Sequence, residues 1–290
     1  MERFVNVAPG ARLWVEERGA PDAPALVLVM GAQASGLGWP DELVELLAAR
    51  FRVIRYDHRD TGRSTWTFDE QPYPLTALAE DAVRVLDALE VERAHLVGMS
   101  LGGMLVQLIV ADRPERVLSA TLIGTGALSS VPYEHPDGTR TPAEELPGIS
   151  PGLLEMWARP VEDRGPEAEL ERRVEHWRVL GGDRIPFDAA YAREQERRII
   201  AHTGHHHAGT AHARADASGM DRTGALARNR APTLVVSAPA EPVYPPPHAH
   251  HIAQAVHGAR LITIPGMGHA LPREVHAPLA AAILDHAGRS

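Results

Sequence analysis

The sequence contains no cysteine, which excludes disulfides, thiolate metal sites, iron–sulfur clusters and a cysteine nucleophile. It also contains no lysine. All 29 basic residues are arginine, so a Schiff-base lysine and a P-loop lysine are excluded. Positive charge is in deficit: 38 acids against 29 bases give a formal net charge of −9, which argues against a chain-wide basic surface for nucleic acid. No apolar run approaches the roughly 20 residues that a membrane helix needs. The first residues, Met1-Glu2-Arg3-Phe4-Val5, show no charged-then-apolar leader, and a cytoplasmic protein is the expectation. What is present is ordinary for a globular protein, with 44% hydrophobic and 23% charged residues. The 290 residues suffice for one large domain or two small ones.

Short apolar runs alternate with amphipathic helical stretches, the pattern of an α/β layered domain. Residues 4–7 and 13–16 alternate apolar with polar and predict an edge hairpin. The continuously apolar Ala25-Leu26-Val27-Leu28-Val29-Met30 predicts a buried parallel strand. Further strands are expected at 52–57, 94–98, 118–123, 233–237 and 260–264. Helices are expected at 41–49, 76–90, 248–256 and 274–287. The helix after Gly98 carries Leu101, Met104, Leu105, Leu108 and Ile109, the spacing of a core-facing stripe. From residue 126 to 229 the pattern changes. That segment predicts helices at 151–159, 166–180 and 187–202, and no core strand. It reads as a helical cap (126–229) inserted after the sixth strand of a core formed by 1–125 and 230–290.

Gly98-Met99-Ser100-Leu101-Gly102 is a G-x-S-x-G string. By chance such a string recurs in roughly one chain in ten of this length, so its context decides. Here it joins an apolar strand to an apolar-striped helix, the strand–turn–helix elbow that exposes a nucleophilic serine. The flanking glycines remove side chains that would collide across a sharp turn, and the helix start aims amides at a developing oxyanion. A serine hydroxyl needs a base. Of 16 histidines, His269 is the candidate, because it follows the last apolar strand in Pro265-Gly266-Met267-Gly268-His269-Ala270-Leu271-Pro272.

These strings, with Trp39-Pro40-Asp41-Glu42 and Arg55-Tyr56-Asp57-His58-Arg59-Asp60-Thr61-Gly62-Arg63-Ser64, resemble the α/β-hydrolase fold over nearly the whole chain. Within it they resemble the aclacinomycin methylesterase group. The resemblance implies a mostly parallel eight-stranded sheet flanked by helices, and a serine esterase acting on the methyl ester of an anthracycline-like aromatic polyketide. It implies no cofactor. In this fold the order is serine, acid, histidine. The acid then belongs after the strand ending at Ser237, where Glu241 is the single carboxylate of Ala238-Pro239-Ala240-Glu241-Pro242-Val243-Tyr244-Pro245. The family usually carries aspartate there. By position, the Ala32 and Leu101 amides are the expected oxyanion donors, and Gln33, Met99, Trp157, Tyr244 and Ala270 are expected at the substrate pocket. Trp157 and Trp177 also stand at apolar helical positions and read as lid core.

Gly204–His212 departs from the family and carries a histidine cluster; with His202 it reads as a solvated or pocket-lining loop rather than a metal site. The expected partner is a small-molecule ester, for a monomer or homodimer without nucleic acid or membrane. The same machinery also serves lactonases, carbon–carbon bond hydrolases and perhydrolases. A non-catalytic ligand-binding homologue is the reading of another class.

Overall fold

The computed structural model of the chain describes residues 1–159, 164–207 and 209–289. Its elements begin with β1 (Glu2–Ala8), β2 (Ala11–Arg18), β3 (Ala25–Val29), α1 (Asp41–Ala48), β4 (Arg52–Tyr56) and α2 (Leu75–Ala88). There follow β5 (Ala94–Met99), α3 (Leu101–Asp112) and β6 (Val117–Ile123). The chain then leaves the sheet for a two-stranded ribbon, β7 (Tyr133–Glu134) and β8 (Arg140–Thr141), and five helices. These are α4 (Pro151–Trp157), α5 (Pro166–Leu180), α6 (Ala189–Thr203), α7 (Ala211–Arg214) and α8 (Thr223–Leu226). It returns with β9 (Thr233–Ser237), α9 (His248–Ala255), β10 (Arg260–Thr263) and α10 (Arg273–Ala287).

Eight strands form one sheet in the order β1-β2-β4-β3-β5-β6-β9-β10. β2 runs antiparallel to β1 and β4, and the other pairs are parallel. This is the mostly parallel eight-stranded α/β-hydrolase sheet. The continuously apolar strands are explained by helices on both faces. Successive side chains alternate sides: Val27, Val29 and Leu96 join the core under α2, α3 and α9, whereas Leu26, Leu28, Val97 and Met99 join the core under α1 and α10.

The segment between β6 and β9 is helical as expected, and α5 occupies the predicted residues 166–180. Pro166 opens α5, where a missing N–H costs no helical bond. The Asp188 carboxylate caps α6 by accepting from the Tyr191 amide, and Gly204 ends that helix at φ +84°. The ribbon and the two four-residue helices α7 and α8 are absent from the sequence reading, because elements that short show no period. Leu128, Ala211 and Leu226 from this segment pack into the core on the α3 side. Elsewhere the segment is seated on the sheet domain by Ile199 against Trp14 and Leu37. Arg198 adds an ion pair to Asp41 at 2.6 Å. Asp41 also pairs with Arg55, a buried guanidinium that donates to Glu16 on β2 (2.6 Å) and to the Trp39 carbonyl (2.7 Å).

Candidate active site

Ser100 is the single residue between β5 and α3, at φ 56° and ψ −123°. Backbone of this kind costs a non-glycine residue on the order of 1–3 kcal/mol and persists only where the surroundings enforce it. Here the Ser100 amide donates to the Ile123 carbonyl of β6 at 2.9 Å. The turn is tight enough that a Cβ on Gly98 would lie 2.3 Å from the Gly102 carbonyl oxygen, and one on Gly102 would lie 2.0 Å from that of Val29. The two glycines of the motif are therefore steric requirements of the elbow.

Glu241 and His269 come from the loops after β9 and β10. Those loops are tied together by the Ala240 amide donating to the Met267 carbonyl at 2.9 Å. His269 Nδ1 donates to Glu241 Oε2 at 2.7 Å, leaving Nε2 as the basic nitrogen. Glu241 Oε1 accepts the Val243 amide at 2.7 Å and the Tyr244 amide at 3.3 Å, so both carboxylate oxygens are engaged. Both side chains are buried, at 5% exposure for Glu241 and 7% for His269. Burial, followed by the neighbouring Glu241 charge, pushes the Tyr244 phenol up to about 12. The His269 backbone is set by the inserted segment: its amide donates to the Leu180 carbonyl at the end of α5, at 2.7 Å.

Gly124 connects this pair to the elbow. It follows Ile123, the residue that anchors the Ser100 amide. At φ +51°, a Cβ placed on Gly124 would lie 2.8 Å from Glu241 Oε2 and 3.1 Å from His269 Nδ1. Ser100, Glu241 and His269 thus lie in the loops at the carboxyl ends of β5, β9 and β10, around Gly124 at the end of β6. Among the described residues Ser100 Oγ makes no hydrogen bond. Such bonds in substrate-free enzymes are often long and tighten in the complex.

Facing the serine is the loop after β3. A Cβ on Gly31 would stand 3.7 Å from Ser100 Oγ, so the backbone next to Ala32 lies against the hydroxyl. Neither the Ala32 nor the Leu101 amide makes a hydrogen bond among the described residues. For Leu101 the cause is its place in the first turn of α3, where amides have no partner within the helix.

A cleft of about 920 Å³, partly open to solvent, lies between the sheet domain and the inserted helices. Met99 and Ala270, the chain neighbours of Ser100 and His269, line it. So do Leu37, Trp177, Phe187 and Ile199, giving it a mainly apolar wall. Gln33, Trp157 and Tyr244, also expected at the pocket, do not line this cleft. Gln33 lies in the loop after β3, and Tyr244 lines a small void behind Glu241. Trp157 is 46% exposed on α4, its Nε1 donating to His176 Nε2 at 3.0 Å. The lid-core expectation for Trp157 is thus corrected: α4 turns that ring outward, whereas Trp177 on α5 faces the cleft.

The histidine-rich stretch is solvated only in part, with His207 exposed, and its histidines do not line this cleft. His202 contacts Asp57 Oδ2 at 2.8 Å, His205 packs edge-on against Trp66, and His212 is buried. Its one sequence signal was the density of histidines, which says nothing of their partners. No group of three histidine, aspartate or glutamate side chains among the described residues is placed to hold a metal ion. No helix among them is long and apolar enough to cross a membrane.

A sheet of this order with a serine elbow after its fifth strand and a histidine–carboxylate pair after its last two defines a class. The family model for the alpha/beta hydrolase fold matches residues 24–272, and the chain belongs to that family. Within it, the chain is 43% identical over 280 residues to rhodomycin D methylesterase DauP of Streptomyces sp. (strain C5), with 94% of each chain covered. It is 42% identical to rhodomycin D methylesterase DnrP of Streptomyces peucetius at the same coverage. A solved hydrolase from Pseudomonas aeruginosa PA01 is 26% identical with a TM-score of 0.71, covering 99% of this chain and 98% of that one.

Proposed function

We propose that the protein is a carboxylic ester hydrolase that removes the methyl group from a methyl ester on an anthracycline-like aromatic polyketide, using Ser100, His269 and Glu241. The observation that carries this reading is the buried His269–Glu241 pair, 2.7 Å apart, packed against Gly124, whose neighbour Ile123 anchors a serine held at positive φ. Kinship with two rhodomycin D methylesterases over 94% of the chain supports the substrate class. The apolar cleft that reaches Met99 and Ala270 suits a flat aromatic acyl group. The proposed setting is the cytoplasm, as a monomer or homodimer.

In this mechanism Ser100 Oγ attacks the ester carbonyl carbon as its proton passes to His269 Nε2. Glu241, hydrogen-bonded at Nδ1, holds the ring orientation and stabilises the imidazolium. The Ala32 and Leu101 amides receive the oxyanion. Each such donor is worth about 3–4 kcal/mol of barrier. Collapse of the tetrahedral adduct breaks the bond to the methoxy oxygen, which takes the proton from His269 and leaves as methanol. Water then attacks the acyl-enzyme, giving its proton to His269. Collapse frees the carboxylic acid and returns the proton to Ser100.

The test is to incubate the protein with an anthracycline-type methyl ester and measure methanol and the free acid by mass spectrometry. Stoichiometric formation of both, absent from Ser100→Ala, is expected. Absence of both, with intact folded protein, would overturn the methylesterase reading.

A further inference from the structure

The loop after β3 is held at its two sides by histidines. On one side His58 Nε2 donates to the Met30 carbonyl at 3.0 Å. On the other, the Gln33 amide donates to His212 Nδ1 at 2.9 Å. Gln33 itself sits at φ 60°, a left-handed turn that a glutamine adopts only under constraint. Between Met30 and Gln33 lie Gly31, which abuts Ser100, and Ala32, whose amide faces no internal partner.

The partners fix the chemistry of His212. Because Nδ1 accepts from an amide, the proton must reside on Nε2, which donates to the Arg59 carbonyl at 2.9 Å. Burial holds the ring below the ordinary histidine range and so keeps it neutral. Its edge meets the His58 ring at a centroid distance of 5.7 Å. His212 belongs to α7, 179 residues from Gln33 and within the segment inserted between β6 and β9. A second contact from that segment acts at the far end of the same loop. His202 Nε2 lies 2.8 Å from Asp57 Oδ2, and Asp57 Oδ1 accepts the Ser35 hydroxyl at 2.6 Å and the Gly36 amide at 2.7 Å.

We propose that His212 is the positioning residue of the oxyanion hole, a side chain of the inserted segment that holds the Ala32 amide on target through its bond to Gln33. This rests on the serine-esterase reading for the role of Ala32, whereas the contact itself does not. Seating of the inserted segment is thereby coupled to assembly of the hole. Since the hole acts on the transition state and not on substrate binding, loss of the contact lowers kcat and leaves KM in place.

Two substitutions of similar size and polarity separate this role from a general structural one. In His212→Asn the side-chain oxygen stands near the place of Nδ1 and keeps an acceptor for Gln33. In His212→Gln the amide reaches the place of Nε2 and keeps the bond to Arg59 instead. With p-nitrophenyl acetate as substrate, the Asn variant is expected within about threefold of wild-type kcat. The Gln variant is expected to lose roughly tenfold or more, with KM unchanged and affinity for a trifluoromethyl ketone inhibitor falling in parallel with kcat. Hydrogen exchange at the Gln33 amide supplies a readout that needs no turnover: protected in wild type and Asn, fast in Gln. Equal kcat in the two variants, or a Gln variant faster than Asn, would overturn the proposal. So would loss confined to KM. A wild type that hydrolyses nothing but shows the expected exchange order would overturn the esterase reading and leave the contact standing.

Discussion

The sheet domain and the inserted segment differ in how much apolar surface they bury. In the sheet domain the central strands β3, β5, β6 and β9 are buried almost along their whole length, and side chains from β3 and β5 divide between two cores. In α5 and α6 fewer side chains are buried: a small apolar cluster of Leu170, Val174 and Ala192 joins the helices, flanked by the pairs Arg173 with Glu169 and Glu196, and Arg193 with Glu171. The segment meets the sheet domain through Leu128, Ala211 and Leu226 in the α3-side core, through Leu153 and Leu180 against Val243, through Ile199 against Trp14 and Leu37, and through polar contacts such as Arg198–Asp41, His202–Asp57 and His212–Gln33. The proposed chemistry sits on the first region and the cleft lies between the two. In the proposed reading, reaction type follows from the sheet domain and substrate choice from the segment that lines the cleft with Trp177, Phe187 and Ile199.

Perturbing each region in turn breaks or sharpens that contrast. The largest effect is expected for Ser100→Ala, which should lower ester turnover by about 10⁴-fold or more with the thermal midpoint unchanged. Glu241→Ala should cost about 10³–10⁴-fold, and Glu241→Asp should retain measurable turnover although its carboxylate reaches less far towards His269. An Ala variant at wild-type rate would show that another group orients the base. In the sheet domain, Gly102→Ala forces a Cβ to within 2.0 Å of the Val29 carbonyl oxygen and should destabilise the fold by on the order of 3 kcal/mol or more, read by denaturant unfolding. In the inserted segment, Arg193→Ala removes an exposed pair with Glu171, and no measurable change in the thermal midpoint is expected.

Acid should act on both regions, since burial pushes His176 on α5 down to about 4 as it does two histidines of the sheet domain. Burial pushes His58 and His95 down to about 4, from an ordinary value near 6.5. Both are therefore neutral in the fold, whereas the unfolded chain takes up protons as pH drops through 6.5. Their contribution is complete above about pH 6.5 and is lost between there and about pH 4, at roughly 1.4 kcal/mol per pH unit for each proton. Urea unfolding across that range checks the slope. A flat profile would mean that both rings are protonated in the fold.

The same contrast explains what could be read from the sequence. Periodicity reports burial, so the sheet strands and the main helices were legible, and α5 was placed to the residue. The serine elbow was legible because Gly98 and Gly102 are demanded by contacts with the Gly102 and Val29 carbonyls. The roles of His58, His202 and His212 were not, because a hydrogen bond that His212 accepts from an amide 179 residues away leaves no pattern in the chain. Trp157 was misplaced for a related reason: an apolar residue at helical spacing gives a face, but not which neighbour covers it. The cavity wall from Trp177 to Ile199 arises from how α5 and α6 lie on the sheet domain, through contacts between residues far apart in the chain such as Ile199 with Trp14 and Arg198 with Asp41.

The central claim is that residue 100 is the nucleophile served by residues 241 and 269. The most direct measurement is tandem mass spectrometry of the protein after reaction with a fluorophosphonate probe. One adduct, on the peptide carrying Ser100, is predicted, with its formation slowed sharply in His269→Ala and Glu241→Ala. An adduct on another side chain, or labelling that is as fast without His269 as with it, would contradict the assignment.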